Sequence, residues 1–207
     1  MVAFVFDSIL RKAQQQGIAP GVKRASRDWF RKQAQQVSSG RANPTRMIRN
    51  EPERLVRRPM IGSMYLFNYD PKYKKTLPYY DRYPLIFPVG GEEKFAGYAS
   101  QGGAFYGLNV HYLPPPLRAR LMDALYTTTN NKAYDQTTRM RVSYQILQSA
   151  SKYRFFKPCF KKYLVSHVKS QFLKIEPNEW DVALFLPTER FVGASLNRVY
   201  KDSRNRI

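Results

Sequence analysis

His111, His167, Cys159 and the adjacent carboxylates Glu92 and Glu93 are the side chains of this sequence that first invite a search for bond-making chemistry. A nucleophile needs a base within reach, and a zinc site needs several His, Cys or carboxylate ligands at short spacing. The chain offers neither: it has no paired-cysteine motif, no HExxH, no phosphate-cradling Walker loop and no nucleophile elbow. Glu92 and Glu93 beside Lys94 in "VGGEEKF" suggest a metal-dependent nuclease, but neighbouring carboxylates in a glycine-rich loop are ordinarily solvated charge. His111 falls in an alternating run and His167 on the inner side of an expected helix, so both are expected to be packed and hydrogen-bonded. Cys159 is expected to fill space; as a single cysteine it cannot form an internal disulfide, which fits a reducing compartment. No catalytic residue, metal or cofactor is assigned.

The chemistry that the residue types do support is recognition of a polyanion. The chain carries 35 Lys and Arg against 15 Asp and Glu, a net charge of +20, and such self-repulsion is relieved by a negative partner. The excess is spread along the chain, since residues 1–60 hold 13 basic and 4 acidic side chains. It is most one-sided between Asp135 and Glu176, where no acid occurs among Arg139, Arg141, Lys152, Arg154, Lys157, Lys161, Lys162, Lys169 and Lys174. Within it, "SKYRFFKPCFKKY" adds the rings of Tyr153, Phe155 and Phe156. A second such stretch, "YDPKYKKTLPYYDRYPLIFP" (69–88), joins Lys72, Lys74, Lys75 and Arg82 to Tyr73, Tyr79 and Tyr80 in a proline-bounded loop. Each cation can displace counterions from phosphate, and each ring can stack on an exposed base for about 1–3 kcal/mol. The competing reading is a solvated cationic face over an aromatic core.

These residues need elements to position them. The opening "MVAFVFDSIL" reads as a short amphipathic helix; Asp7 and its length exclude a membrane span. A second helix follows with Ser26 as N-cap, and residues 38–59 read as a linker or arm rich in arginine. From Met64 short aromatic runs predict strands of a small bent antiparallel sheet, SH3-like or barrel-like. A helical insertion over 116–171 is expected in three parts: from "PPPLRAR" with Leu117, Leu121, Ala124 and Leu125 inward, from about residue 135 to 153, and from Pro158 to about Gln171. "DVALFLP" reads as a buried strand returning to the sheet. The fold class is therefore α+β, with a basic arm over 1–60 and a core domain over 61–207.

The blocks "MYLFNYDPKYKKTLPYYDRYPLIFPV", "GLNVHYLPPPLRARLMDALY", "TTNNKAYDQTTRMRVSYQIL", "YRFFKPCFKKYL" and "WDVALFLPTERF" together resemble, in one order from about Met64 to Lys201, the DNA end protector or head-completion proteins of T-even-like tailed phages and cyanophages. The resemblance implies a virion protein that associates with the ends of packaged double-stranded DNA and shields them from a host RecBCD-type exonuclease after entry. It also implies a part in finishing the filled head, with portal or neck proteins as further partners and the host cytoplasm as a second location. It brings no catalytic residues, no small-molecule substrate and no membrane, so the DNA-binding residues rest on charge and position alone. The alternatives are a purely structural head, neck or baseplate component, and a nuclease using the few carboxylates.

Overall fold

Aromatic and β-branched runs too short for a helix, each closed by glycine or proline, gain most by pairing with one another. In a computed structural model, which describes residues 5–20, 23–91, 103–129, 145–147, 149 and 156–205, they form an antiparallel sheet of six strands. These are β1 (Leu55–Val56), β2 (Met64–Leu66), β4 (Leu85–Gly91), β5 (Ala104–Asn109), β6 (Phe160–Leu164) and β7 (Phe172–Ile175), in the order β1-β7-β2-β4-β5-β6. A separate pair joins β3 (Tyr80–Asp81) to β8 (Phe191–Val192). The fold is α+β as expected, but the sheet is open, with β1 and β6 at its edges, rather than a closed barrel.

The period of two sorts side chains onto two faces. Met64, Leu66, Phe87, Leu108 and Ile175 enter a large cluster shared with the helices, while Tyr65, Phe67, Ile86, Phe105, Tyr163 and Phe172 build a second, mostly aromatic one. Where Pro88 cannot donate to the ladder, the register with β5 shifts between Pro88 and Gly90. Gly107 of β5 lies against Ile86, whose Cδ1 would be 2.8 Å from an added Cβ, so only glycine lets the two strands sit this close without a shift.

The N-terminal residues, expected as an arm with a linker, pack onto the large cluster. Helix α1 (Val5–Gln15) buries Val5, Phe6, Ile9 and Ala13, α2 (Arg24–Gln35) buries Phe30 and Ala34, and the supposed linker contains α3 (Pro44–Asn50), with Met47 and Ile48 inward. Asn43 caps α3 by accepting from the Arg46 N–H, with Pro44 at the first position. Ser26 is not an N-cap: α2 starts after Lys23, and the Ser26 hydroxyl bonds the Ala19 carbonyl. Two arginines tie this segment to distant carboxylates. Arg31 bonds Asp181 at 2.9 Å and Asp123 at 2.7 Å, and Arg54 grips both oxygens of Glu179 at 2.8 and 2.7 Å. Part of the N-terminal charge is thus neutralised inside the fold.

Helix α4 (Pro115–Thr129) follows the proline run, with Leu121, Met122 and Leu125 buried; Ala124, expected inward, is exposed. Of the helix expected near 135–153, Ile146 and Leu147 are helical and packed on the core, and the remainder lies outside the described residues apart from Gln145 and Ser149. Two expectations fail. Residues 158–171 are not a helix but a 3-10 turn, β6, a second 3-10 turn at Val165–His167 and a bridge at Val168. Phe160 packs on the large cluster while Tyr163 and Val168 pack on the aromatic one, so the apolar residues serve both faces, and pairing with the edge of β5 decides for the strand. "DVALFLP" is not a strand: helix α5 (Trp180–Ala183) and a following turn bury it, with Trp180 donating to the Ile175 carbonyl at 3.1 Å. Helix α6 (Leu196–Asn205) closes the described chain. No described helix is long and apolar enough to cross a membrane.

Candidate nucleic-acid interface

The loop from Tyr69 to Tyr80 is held at both ends. Tyr69 bridges Val168 and donates its N–H to the Arg82 carbonyl at 3.0 Å, and the Asp70 N–H donates to the His167 carbonyl at 3.0 Å. At the far end Tyr80 pairs with Val192, and Gly193, at φ +90°, passes so close that a Cβ there would be 2.7 Å from the Pro78 carbonyl oxygen. Between these anchors Lys72 to Pro78 are exposed, with Tyr73 at 62%.

Opposite stands the edge strand β6. Its register with β5 places Lys161 across from Gly107 and Lys162 across from Tyr106. The two segments singled out by charge meet here: Lys72, Tyr73, Leu77, Tyr79 and Tyr80 of the loop and Lys161, Lys162 and Tyr163 of β6 line one cleft of about 540 Å³. Its buried end is formed by Asp81, Asn109, Tyr112 and Tyr163. The Lys161 ammonium lies 4.1 Å from the centre of the Tyr112 ring, and the Lys72 ammonium 5.4 Å from that of Tyr73, so each cation sits over a π face that favours it. Lys162 lies 5.7 Å from the Tyr106 ring centre.

The remaining expected binding residues divide. Lys75 is exposed in the same loop, Arg82 is exposed with its guanidinium 6.0 Å from the Tyr83 ring centre, and Lys157 and Lys169 are exposed on either side of β6. Lys74 departs from the expectation of an uncompensated cation: it bonds both oxygens of Asp70 at 2.9 Å. Its hydrogen bond, ahead of the charges of Lys169 and His167, holds the Asp70 carboxyl below its ordinary pKa. Lys174, inside the acid-free stretch, pairs with Glu176 at 2.9 Å. Tyr79 does not project from the loop; it is buried against Tyr112 and Phe191 and reaches the cleft only as part of its wall. Phe156 is half-buried against the core, not a free platform. Arg139, Arg141, Lys152, Tyr153, Arg154 and Phe155 lie outside the described residues.

Sequence reasoning missed the buried end of the cleft. Asp81 accepts from the Tyr83 N–H at 3.0 Å and the Asn109 amide at 3.0 Å, and its carboxylate lies 2.7 Å from His111 Nδ1. Burial alone would raise the Asp81 pKa, but the His111 charge and these hydrogen bonds outweigh it and hold the group ionised below its usual value. Asn109 Oδ1 accepts from the His111 N–H at 3.0 Å, so both polar side chains are already engaged. His111 Nε2 lies 3.0 Å from the Thr188 hydroxyl. Hydroxyl, imidazole and carboxylate stand in the order of a hydrolytic triad, but the Thr188 hydroxyl and His111 ring are buried in the core and Thr188 does not line the cleft, so a bound ligand does not meet the hydroxyl. The trio is a structural strut, and His111 is the hydrogen-bonded core histidine its context predicts. Burial also pushes the Cys159 thiol up to about 12 and raises the Tyr112 and Tyr163 phenols, which keeps all three uncharged near neutrality. Among the described residues no group of three or more His, Cys, Asp and Glu is placed to hold a metal.

The site is thus a cleft walled by tyrosine rings, with Lys72 and Lys162 exposed at its rim, Lys161 over Tyr112 and a hydrogen-bonded polar floor, an arrangement suited to binding an anionic aromatic ligand. No curated protein and no solved structure matches the chain. A family match does exist and begins at residue 1, so it takes in the N-terminal helices that the resembling blocks leave out. Over residues 1–203 the sequence fits the phage T4 terminal DNA protecting protein family, and the chain belongs to that family.

Proposed function

We propose that this protein sits on the ends of packaged double-stranded DNA in the virion, keeps exonucleases from them by occupying the terminus, and takes part in completing the filled head. The family, described as a terminal DNA protecting protein, supports a DNA-end protecting role. The observation that carries the reading to residues is the meeting of loop 72–80 and β6 in one cleft, which puts Lys72, Lys161 and Lys162 around a set of tyrosine rings. Lys75, Arg82, Lys157 and Lys169 extend the positive surface around it, and the cations from Arg139 to Arg154 belong to the same proposal. Protection by this route is steric and electrostatic: phosphate contacts displace counterions, the bound protein covers the terminus, and no bond is made or broken.

The test is survival of a linear duplex under a processive exonuclease. Purified protein is expected to slow digestion, and a variant with the exposed Lys72, Lys157 and Lys162 changed to Glu is expected to lose that effect while melting close to the wild-type temperature. Unchanged digestion in the presence of saturating wild-type protein overturns the proposal. A purely structural head or neck part is the second reading, and the turn that exposes Met60 at 63% and Ile61 at 43% favours it, because an apolar pair on a basic surface suits a protein contact. On that reading linear and circular DNA bind equally.

A further inference from the structure

We propose that the cleft between loop 72–80 and β6 receives a single unpaired nucleotide at the DNA terminus, base inward and phosphate outward, without reading which base it is. This rests on the end-binding function proposed above and names the form of end that the site prefers.

The shape argues for one base. A paired terminus is a broad flat face, met by a flat or convex surface, whereas this is a concavity of about 540 Å³, in the size range of small-molecule sites. Its walls are rings: Tyr69, Tyr73, Tyr79, Tyr80, Tyr112 and Tyr163, with Leu77 beside them. A base stacked there gains from any π face, whatever its identity. Tyr73 and Leu77 stand exposed at the mouth, where a base entering from solvent meets them first.

Charge fixes the orientation. Among the described lining residues the only carboxylate, Asp81, is at the buried end, Lys161 lies half-buried over Tyr112, and Lys72 and Lys162 are exposed nearer the mouth. A phosphate is repelled from the carboxylate and drawn to the lysines, so the base takes the interior. Neutral phenols at Tyr112 and Tyr163 add no opposing charge. Sequence indifference follows from the floor. Asp81 is committed to Tyr83, Asn109 and His111, and Asn109 to Asp81 and His111, so the carboxylate and the amide of the floor are spent within the protein.

The experiment compares short duplexes with one blocked end and a free end that is either blunt or carries one to three unpaired nucleotides, the terminal one being 2-aminopurine. The unpaired end is expected to bind about tenfold more tightly than the blunt one, within the span that one stacked base supplies. The 2-aminopurine fluorescence is expected to fall on binding as the base stacks. Tyr73→Ala, at an exposed position that the fold does not need, is expected to restore most of the fluorescence and cut the preference to about threefold or less. The four natural bases at the terminus are expected to bind within about threefold of one another, because stacking tolerates all of them. Equal binding of blunt and unpaired ends with unchanged fluorescence refutes the nucleotide pocket while leaving end binding intact, and so does a strong preference for one base. Equal binding of linear and circular DNA instead refutes the underlying function.

Discussion

Replacing Arg118 by Met tests whether a cation buried in the middle of this basic protein is a structural part or spare charge. Arg118 is 2% exposed on α4 and donates to the carbonyls of Leu113 and Leu184 at 2.7 Å each, to His111 at 3.3 Å and to the Tyr200 hydroxyl at 2.8 Å, while pairing with Glu189. It therefore joins α4, the turn after β5, the end of α5 and helix α6 at one point. Removing one partner of a buried pair costs about 3–5 kcal/mol, chiefly because the other charge stays behind unpaired. The abandoned carbonyls add about 1 kcal/mol or more. Native domains are stable by only about 5–15 kcal/mol, so Arg118→Met is expected to remove about a third or more of the total. With a urea slope of about 2 kcal/mol/M the midpoint falls by about 2 M.

The pH dependence separates charge from packing. Burial raises the Glu189 pKa, but Arg118 and then His111 outweigh it, and the folded value lies below the ordinary 4.5. A depressed carboxyl contributes stability that is present above the unfolded pKa and lost as pH falls through the folded one. Without Arg118 the burial effect prevails and the folded pKa rises above 4.5; the contribution is then present below the unfolded value and lost as pH climbs. The stability gap between wild type and Arg118→Met is therefore expected to be smaller at pH 4 than at pH 7, measured by urea titration at both. Arg118→Met/Glu189→Met should recover at least half the loss at pH 7. A gap under about 1 kcal/mol, well short of the buried-pair cost, or one that ignores pH, refutes the reasoning.

Three further outcomes are expected. If Lys72, Lys75, Lys161 and Lys162 each touch one phosphate, log affinity for linear DNA falls against log salt with a slope of about 3.6, and each Lys→Ala lowers it by about 0.9; a wild-type slope under about 1 contradicts the interface. Cys159, fully buried and with its thiol pKa raised to about 12, is expected to resist a thiol-reactive dye at pH 8 in the native state and to react at once in urea. Gly193→Ala must both hold φ +90° and displace the Pro78 carbonyl, so a loss of about 1–3 kcal/mol in melting experiments is expected, with weaker DNA binding because the loop end moves.

The parts of this architecture legible in the sequence were those whose signal is local. Aromatic runs bounded by glycine and proline marked β2, β4 and β5, the proline run marked the start of α4, and His111 and Cys159 read correctly as core. The failures came where two local patterns coincide. Phe160, Tyr163, Leu164 and Val168 carry a helix-like spacing, yet Phe160 packs on the large cluster and Tyr163 and Val168 on the aromatic one, and only pairing with β5 selects the strand. The unbroken apolar run after Asp181 carries no period at all, although "EPNE" ahead of it was a helix-start signal: Pro177 follows the cap, and Glu176 and Glu179 form a capping box. In the cleft, charge and aromatic content marked Lys72, Tyr73, Tyr80, Lys161 and Lys162 from the sequence. Asp81, Asn109, Tyr112 and Tyr163 were not legible, because each acts through a partner far along the chain.

That division has a physical consequence for how the site works. The buried network of Asp81, Asn109, His111 and Thr188 completes its own hydrogen bonds, which offsets the cost of burying polar groups and commits Asp81 and Asn109 within the protein. The outermost of the proposed binding groups, Lys72, Tyr73 and Lys162, are exposed on a pinned loop and an edge strand and do not carry the core, whereas the inner walls Tyr69, Tyr79, Tyr112 and Tyr163 are part of it. Stability and the proposed recognition therefore share the inner tyrosine walls and separate at the mouth of the cleft. On this reading affinity changes by substitution at Lys72, Tyr73 or Lys162 without unfolding the protein, while a substitution at Arg118, outside the cleft lining, acts on DNA binding only by loosening the frame beneath it.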